Sequence, residues 1–361
     1  MKAKFSYVRR ERFSDQSDII KFRRKVYMKT AILFVLMMLI LIAPHEFGHF
    51  IVAKLCDVKV NEFAVGMGPL LFKKKKGETQ YSLRAIPIGG FCAMEGENDA
   101  SENPRAFNNK NPGQRIAILL AGVTMNVVIA FIACIIAVQI SGVPVNTLDS
   151  VVKDSPAAIA GMQGEDKIIR INGNDTNSWE DVTSQIDSYK KGDTLNVVVD
   201  RNGSIYNFDI TPKYDKDRQG YTIGIVASVS KNPIHAMKYG AETTVTLTKE
   251  MLNAFKMLFV GGISKDDVSG PVGLVKIVGE ASSAGAATYL ILLALVSLNL
   301  AVINLIPIPG LDGGKLLFVI LKFITRGKIS DEMETKASII GLLILLSLFV
   351  LITINDVKNL F

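Results

Sequence analysis

The sequence predicts a multi-pass α-helical membrane protein with about four spans and an inserted β-rich domain. Three observations support this fold class. The chain of 361 residues is 49% hydrophobic with a mean hydropathy of +0.30, yet 21% of its residues are charged. Apolar runs long enough to cross a bilayer recur along it. Between two of these runs, the segment 145–229 is polar and rich in turn signals.

The N-terminal part is basic and leads into the first apolar run. Residues 1–28 contain nine Lys or Arg and three Asp or Glu. The run from Thr30 to Pro44, which continues through Phe50 to Leu55, predicts a first span with polar residues embedded in it. A cleaved signal peptide is the weaker interpretation, because the basic region is long and no small-residue cleavage site follows.

Charge and cysteine content restrict the partners. The net charge is +7, and the basic residues lie mainly beside apolar runs, as in Lys73–Lys76. This placement indicates anionic lipid headgroups and argues against nucleic acid. The three cysteines, Cys56, Cys92 and Cys134, show no CxxC spacing and are predicted to be free thiols.

Two elements precede the polar insertion. In the polar segment 57–115, the alternating run Gln80–Ile86 is closed by glycines, which predicts one or more β-hairpins. The stretch Ile116–Ile140 is almost wholly apolar and long enough for a second span.

The insertion itself changes character. Asn172-Gly173 and Asn202-Gly203 are turn dipeptides that separate short β-rich runs within 145–229. This pattern predicts a small water-facing β-rich domain.

The C-terminal part is predicted to begin with an amphipathic helix around His235–Phe259, followed by a glycine-punctuated loop over 261–285. A third span starts near Tyr289, is broken at Pro307 and Pro309, and resumes over Leu316–Ile324, and a last span covers Ile339–Ile352. The predicted layout is 1–28 basic extension, 29–144 first membrane part, 145–229 β-rich domain, 230–285 amphipathic helix and loop, and 286–361 second membrane part.

The pentapeptide His45-Glu46-Phe47-Gly48-His49 carries the clearest chemistry. Its two histidines are four residues apart, so on a helix they share one face and can bind one tetrahedral Zn²⁺. Glu46 is then placed as the base that takes a proton from the attacking water. A short motif can arise by chance, but polar residues in an apolar span cost several kcal/mol unless they are compensated.

A catalytic zinc site needs a third protein ligand, and Asp312 is the candidate. It lies in the run 304–314, whose prolines and glycines prevent a regular helix inside an apolar region. The alternative is that Asp312 caps the helix that starts at Gly313.

Together these motifs resemble the site-2 protease family of intramembrane zinc metalloproteases, of the bacterial RseP and RasP type. The resemblance rests on HEFGH in a first span and on the NxxPxPxLDGG pattern that begins at Asn304. It extends to Tyr81–Gly96, which is similar to the family's membrane-associated β-hairpin, and to the start of the second span. The run 155–173 resembles PDZ domains attached to bacterial proteases, which makes the insertion PDZ-like.

The resemblance implies zinc as the cofactor, with His45, His49 and Asp312 as ligands and Glu46 as the catalytic base. It places Asn304 and Asn299 in substrate or active-site contacts, although interhelical hydrogen bonding is the alternative for both amides. The implied activity is cleavage of single-pass membrane proteins, such as anti-sigma factors or remnant signal peptides, within or near their spanning helix.

The implied location is the bacterial cell membrane, with the PDZ-like domain extracytoplasmic. The basic residues 1–28, which share that side if there are four spans, argue for the opposite orientation under the positive-inside rule. Pro44 and the pair Val123-Thr124 depart from the family pattern. A non-catalytic PDZ membrane adaptor is the rival function, but its mark would be an incomplete metal set.

Overall fold

The computed structural model describes residues 16–97, 101–216, 218–260, 270–326 and 328–358. The chain forms two compact units, one of residues Val138–Gly240, called the insert, and one of the chain before and after it, called the membrane unit. Within these described ranges, four helical segments are long and apolar enough to cross a membrane: Val26–Leu55, Pro112–Ser141, Ala286–Leu305 and Glu332–Asp356. The predicted fold class, with about four spans and an inserted β-rich domain, is confirmed.

The helices are α1 (Gln16–Leu55), α2 (Pro112–Ser141), α3 (Pro156–Ala160), α4 (Trp179–Asp187), α5 (Pro233–Val260), α6 (Pro271–Ala284), α7 (Ala286–Leu305), α8 (Asp312–Ile324) and α9 (Asp331–Lys358). The strands are β1 (Val60–Lys76), β2 (Thr79–Met94), β3 (Val143–Val151), β4 (Lys167–Ile171), β5 (Asn174–Asp175), β6 (Leu195–Arg201), β7 (Ser204–Ile210), β8 (Lys213–Asp215), β9 (Gly220–Thr222) and β10 (Ile225–Ser230).

The centre of the membrane unit is an apolar helix cluster contributed by α1, α2, α6 and α7. Its buried members are Met37, Leu41, Ala130, Ala133, Cys134, Val278, Leu293, Ala294 and Leu298. Small residues on α2 allow close approach of the neighbouring helices, as is usual in membranes. A buried hydroxyl reinforces the packing, because Ser297 Oγ of α7 donates to the carbonyl of Asn126 on α2 at 2.7 Å.

The strands β1 and β2 form a bent antiparallel hairpin that is larger than the predicted 81–96. Residues 60–65 of β1 pair with 90–94 of β2, and 62–65 also pair with 80–83, whereas 70–76 pair with 79–84. The chain can bend between these parts because Gly66 and Gly68 adopt φ of +86° and +78°, which only glycine reaches without strain.

Aromatic contacts hold this sheet against α1. The ring of Phe50 lies 5.3 Å from that of Phe63 and 5.9 Å from that of Tyr81, measured between centroids. At the Gly77-Glu78 turn, the Glu78 carboxylate accepts hydrogen bonds from Lys54 at 2.5 Å and from Arg105 at 2.7 and 2.9 Å. The Arg105 guanidinium and then the Lys54 ammonium lower the pKa of Glu78 to about 2. The turn is therefore tied to the last turn of α1.

The loop predicted over 261–285 is wrong for its second half, which forms α6. Pro271 occupies the first turn of this helix, where its missing N–H is tolerated, and the N-cap Gly270 provides no side chain. The Asp356 carboxylate near the end of α9 accepts the N–H groups of Gly270 at 3.0 Å and Gly273 at 2.8 Å. A residue distant in sequence thus caps α6, and local sequence patterns do not reveal such a cap. Residues 261–269 of the predicted loop lie outside the described residues.

The insert is built around one sheet with the strand order β10-β3-β4-β6-β7, and β5 pairs with β4. Its core contains Leu148, Ile168, Ile171, Val182, Leu195, Val197, Val199 and Ile210, all at most 1% exposed. Helix α4 begins with a capping box, in which Ser178 and Asp181 each accept a backbone N–H of the other. The pattern of alternating strands and turn dipeptides correctly predicted a β-rich unit.

Candidate metal centre and active site

His45 and His49 lie one turn apart near the C-terminal end of α1. The helix continues through Pro44, so the proline does not disrupt the motif. Both imidazoles are 6% exposed, and their Nε2 atoms are 3.2 Å apart. The i, i+4 spacing therefore brings both rings to one face, as predicted.

Asp312 reaches the same point from the start of α8, which follows the continuous candidate span Ala286–Leu305, so the predicted third span is complete before the break. The chain leaves α7 at Leu305, passes through a turn that contains Pro307 and Pro309, and re-enters a helix at Asp312. Asp312 Oδ2 lies 3.2 Å from His45 Nε2 and 3.3 Å from His49 Nε2. The alternative capping role does not hold, because the N-cap of α8 is Leu311 and no side chain caps this helix.

The three ligand atoms fit a zinc ion. Their separations of 3.2, 3.2 and 3.3 Å match the distance of about 3.3 Å between ligands of a tetrahedral Zn²⁺ with bonds of about 2.0–2.1 Å. Asp312 Oδ2 is buried and has no hydrogen-bond partner within the described ranges. A carboxylate oxygen and two imidazole nitrogens that converge in a buried place form a donor set that could hold a metal ion.

The outer nitrogens of both histidines are also engaged. His49 Nδ1 lies 2.8 Å from the carbonyl of Ile118, which can only accept, so Nδ1 carries the proton and Nε2 keeps its lone pair. His45 Nδ1 lies 3.2 Å from the side-chain amide of Asn126, which is fully buried. Turning this amide by 180° would bring Asn126 Oδ1, which has no other partner among the described residues, against His45 Nδ1–H.

A cavity of about 320 Å³ opens onto these ligands. It is lined by His45, Glu46, His49, Phe91, Cys92, Ala93, Met94, Glu97, Leu119, Asp312 and Lys315. Glu46 is thus within the cavity beside the metal-binding atoms but is not one of the converging ligands. The β2 residues 91–94 form one wall, so a peptide in the cavity would lie beside a strand.

The charges of the cavity favour a divalent cation. Its lining contains the carboxylates of Glu46, Glu97 and Asp312 and the ammonium of Lys315, whose Nζ lies 2.5 Å from Glu97 Oε1. The Lys315–Glu97 pair neutralises itself, which leaves two negative charges for a Zn²⁺ to balance. Sequence reasoning missed this pair, although a lysine one turn after Asp312 was a visible signal.

The two predicted amides differ in position. Asn304 Nδ2 lies 3.3 Å from His45 Nε2, so its side chain is next to the ligand atoms. Asn299 is half-buried on α7 and is not among the residues that line the cavity. Neither amide lines the cavity, and only Asn304 has a side-chain contact with one of the converging ligand atoms among the described residues.

Two glycines that sequence reasoning did not select allow this geometry. A Cβ on Gly122 of α2 would lie 2.3 Å from His49 Nε2 and 2.8 Å from His45 Cε1. A Cβ on Gly48, inside the HEFGH motif, would lie 2.5 Å from the carbonyl oxygen of Ala121. The crossing of α1 and α2 thus needs small residues on both helices.

Gly122→Ala should remove zinc from a protein that still folds in the membrane. The added methyl group would occupy the space of the imidazole edges, so we expect the zinc affinity to fall at least about 10-fold, as for other changes that displace ligands. Zinc content per chain after dialysis against a weak chelator measures this affinity. Gly113→Ala on the same helix is the matched control, since its Cβ would approach nothing closer than 3.4 Å. Full zinc loading of both variants would contradict the prediction.

Comparisons with known proteins identify the family of the chain. Residues 33–348 match the model of Peptidase family M50. A Clostridium acetobutylicum protein that is named as a zinc metalloprotease is 39% identical to this chain, over 88% of this chain and 94% of the relative. The Bacillus subtilis protein named regulator of sigma-W protease RasP is 28% identical over 93% of this chain and 100% of the relative. A solved PDZ domain from Listeria monocytogenes is 31% identical over 24% of this chain and 86% of that domain, with a TM-score of 0.21. The chain belongs to Peptidase family M50, the site-2 protease family, and is a multi-pass membrane zinc metalloprotease.

Proposed function

We propose that this protein cuts single-pass membrane proteins within or near their spanning helix, with His45, His49 and Asp312 holding the zinc. The observation that supports this most is the convergence of three ligand atoms within 3.3 Å of one another, on helices of an apolar bundle. The cavity beside them has room for a peptide segment and contains Glu46.

Each residue then has a distinct task. When bound, Zn²⁺ polarises the peptide carbonyl and acidifies the attacking water. Glu46 accepts the proton of that water and passes it to the leaving amine. Asn304 contacts the substrate backbone through its amide, a role supported by the 3.3 Å distance between its Nδ2 and His45 Nε2. The Ile118 carbonyl keeps the His49 ring in the orientation and tautomer that bind the metal.

The proposed substrates are anti-sigma-factor-like proteins or remnant signal peptides. The name of the Bacillus subtilis relative links that protein to the regulation of sigma-W, which favours the first class. Both classes present one apolar helix, which matches a cavity at the level of the spanning helices.

The test is to reconstitute the purified protein in vesicles with a single-pass protein that carries a tag at each end. We expect cleavage that a zinc chelator abolishes, with new chain ends within or beside the apolar span by mass spectrometry. Chelator-sensitive cuts only in a distant soluble domain would refute the intramembrane substrate and leave the metalloprotease assignment intact.

The proposed orientation places the insert outside the cytoplasm and the β1–β2 hairpin at the cytoplasmic face. The lysine block 73–76 on the hairpin favours this arrangement under the positive-inside rule, whereas the basic residues 1–28 oppose it. We expect added protease to digest the insert in spheroplasts and to spare it in inverted vesicles. The reverse pattern would overturn the orientation.

A further inference from the structure

Residues 70–76 of β1 form an outer edge of the hairpin sheet. They pair with 79–84 of β2, and no described strand pairs with their other side. Leu70, Leu71 and Phe72 are 43%, 65% and 65% exposed. Three consecutive large apolar side chains on an open strand edge are costly in water and need an apolar environment.

The four residues that follow carry uncompensated positive charge. Lys73, Lys74, Lys75 and Lys76 are all exposed, and none of them forms an ion pair in the part of the chain that the structure describes. The acidic residues nearest in the sheet have other partners. Glu62 binds Arg84 at 2.7 Å, and Glu78 binds Lys54 and Arg105.

The position of this edge relative to α1 sets its depth in the bilayer. The Gly77-Glu78 turn is held by Lys54, at the end of the first span Val26–Leu55. Phe72 pairs with Leu83, which is further from the turn than Tyr81, whose ring contacts Phe50 of α1. The lysines therefore lie nearer to the end of the span, and the apolar residues lie deeper along it.

Edge protection is the simpler explanation for lysines on an outer strand, because charged side chains prevent pairing with other chains. It does not account for Leu70, Leu71 and Phe72, which would favour such pairing. A row of apolar residues followed by four lysines at the end of a span matches an anionic membrane surface. The apolar residues suit the acyl chains, and the lysines suit the negatively charged headgroups.

The family resemblance already implies that this hairpin is membrane-associated, and we propose in addition that its edge 70–76 is a site for anionic phospholipids, with Lys73–Lys76 on the headgroups and Leu70, Leu71 and Phe72 in the acyl region. The site is separate from the metal centre and does not depend on the proposed substrates. Its ligand is the negatively charged lipid of the surrounding bilayer.

A single tryptophan at the edge can test this in the full-length protein. Trp179 is the one tryptophan of the chain, so Phe72→Trp in a Trp179→Phe background gives a unique reporter. Brominated phosphatidylcholine should quench this reporter. In competition, brominated phosphatidylglycerol should be preferred by at least about fivefold, since one lysine near an anionic surface already contributes that much. High salt should reduce the preference.

The lysines are tested by changing all four to glutamine, which should bring the preference to about onefold while zinc content stays unchanged. The matched control changes four other exposed lysines to glutamine, namely Lys190, Lys191, Lys213 and Lys216 of the insert. Absence of quenching by brominated chains would overturn the insertion of the edge. A phosphatidylglycerol preference that is absent, or that survives the Lys73–Lys76 change, would overturn the headgroup site. If an acidic peptide changed the fluorescence of the reporter and anionic lipid did not, the lysines would be assigned to a protein partner instead.

Discussion

Glu46→Gln should lower the rate of peptide cleavage by roughly 10²- to 10⁴-fold while zinc remains bound. Glu46 lines the cavity beside the metal ligands but is not one of the three converging ligand atoms. Glutamine preserves the size of the side chain and removes its capacity to accept a proton. Cleavage in reconstituted vesicles and zinc content of the same preparation together measure the effect.

The control is Glu95→Gln, which makes the same chemical change outside the cavity, where Glu95 pairs with Lys59 at 2.5 Å. This variant should retain activity close to that of the unchanged protein. If Glu46→Gln cleaved within a few-fold of the unchanged rate, another group would have to accept the proton. If it lost its zinc, Glu46 would have to be assigned to the metal instead.

The parts of the site that could be predicted from the sequence are those fixed by local spacing. Histidines at i and i+4 of a helix share a face wherever the helix lies, so His45 and His49 could be paired without tertiary information. Two prolines followed by a glycine, at Pro307, Pro309 and Gly310, disfavour a continuous helix more strongly than the single Pro44 of α1, so the break before Asp312 was also predictable. The long apolar runs gave four spans because hydrocarbon thickness sets their length.

The remaining parts depend on contacts between residues far apart in the chain. Nothing local marks Gly122 as the residue that leaves room for both imidazoles, or Asn126 as the neighbour of His45 Nδ1. Helix α6 was predicted as part of a loop because glycines punctuate the segment, whereas Asp356 supplies its cap from α9. The size of the hairpin sheet was underestimated because β1 pairs with two separate parts of β2.

Asp312→Ala should lose both zinc and activity. Three protein ligands are the usual set of a catalytic zinc site, and this change leaves only His45 and His49. We expect the zinc affinity to fall by more than about 100-fold, beyond the 10- to 100-fold typical of changes around a ligand. Zinc content after dialysis against a weak chelator measures the affinity, and cleavage of the tagged substrate measures the activity.

Two further variants separate the metal-binding role of Asp312 from its contribution to packing. Asp312→Asn keeps the shape of the side chain at the start of α8 but removes the charge, so it should lose zinc nearly as completely as the alanine variant. His45→Ala should have the same effect from α1, because its Nε2 lies 3.2 Å from Asp312 Oδ2 in the same ligand set. Near-stoichiometric zinc in Asp312→Ala would mean that a different carboxylate supplies the third ligand. Glu97 would be the first alternative, since it is the other carboxylate in the lining besides Glu46, and its release from Lys315 would free it for the metal.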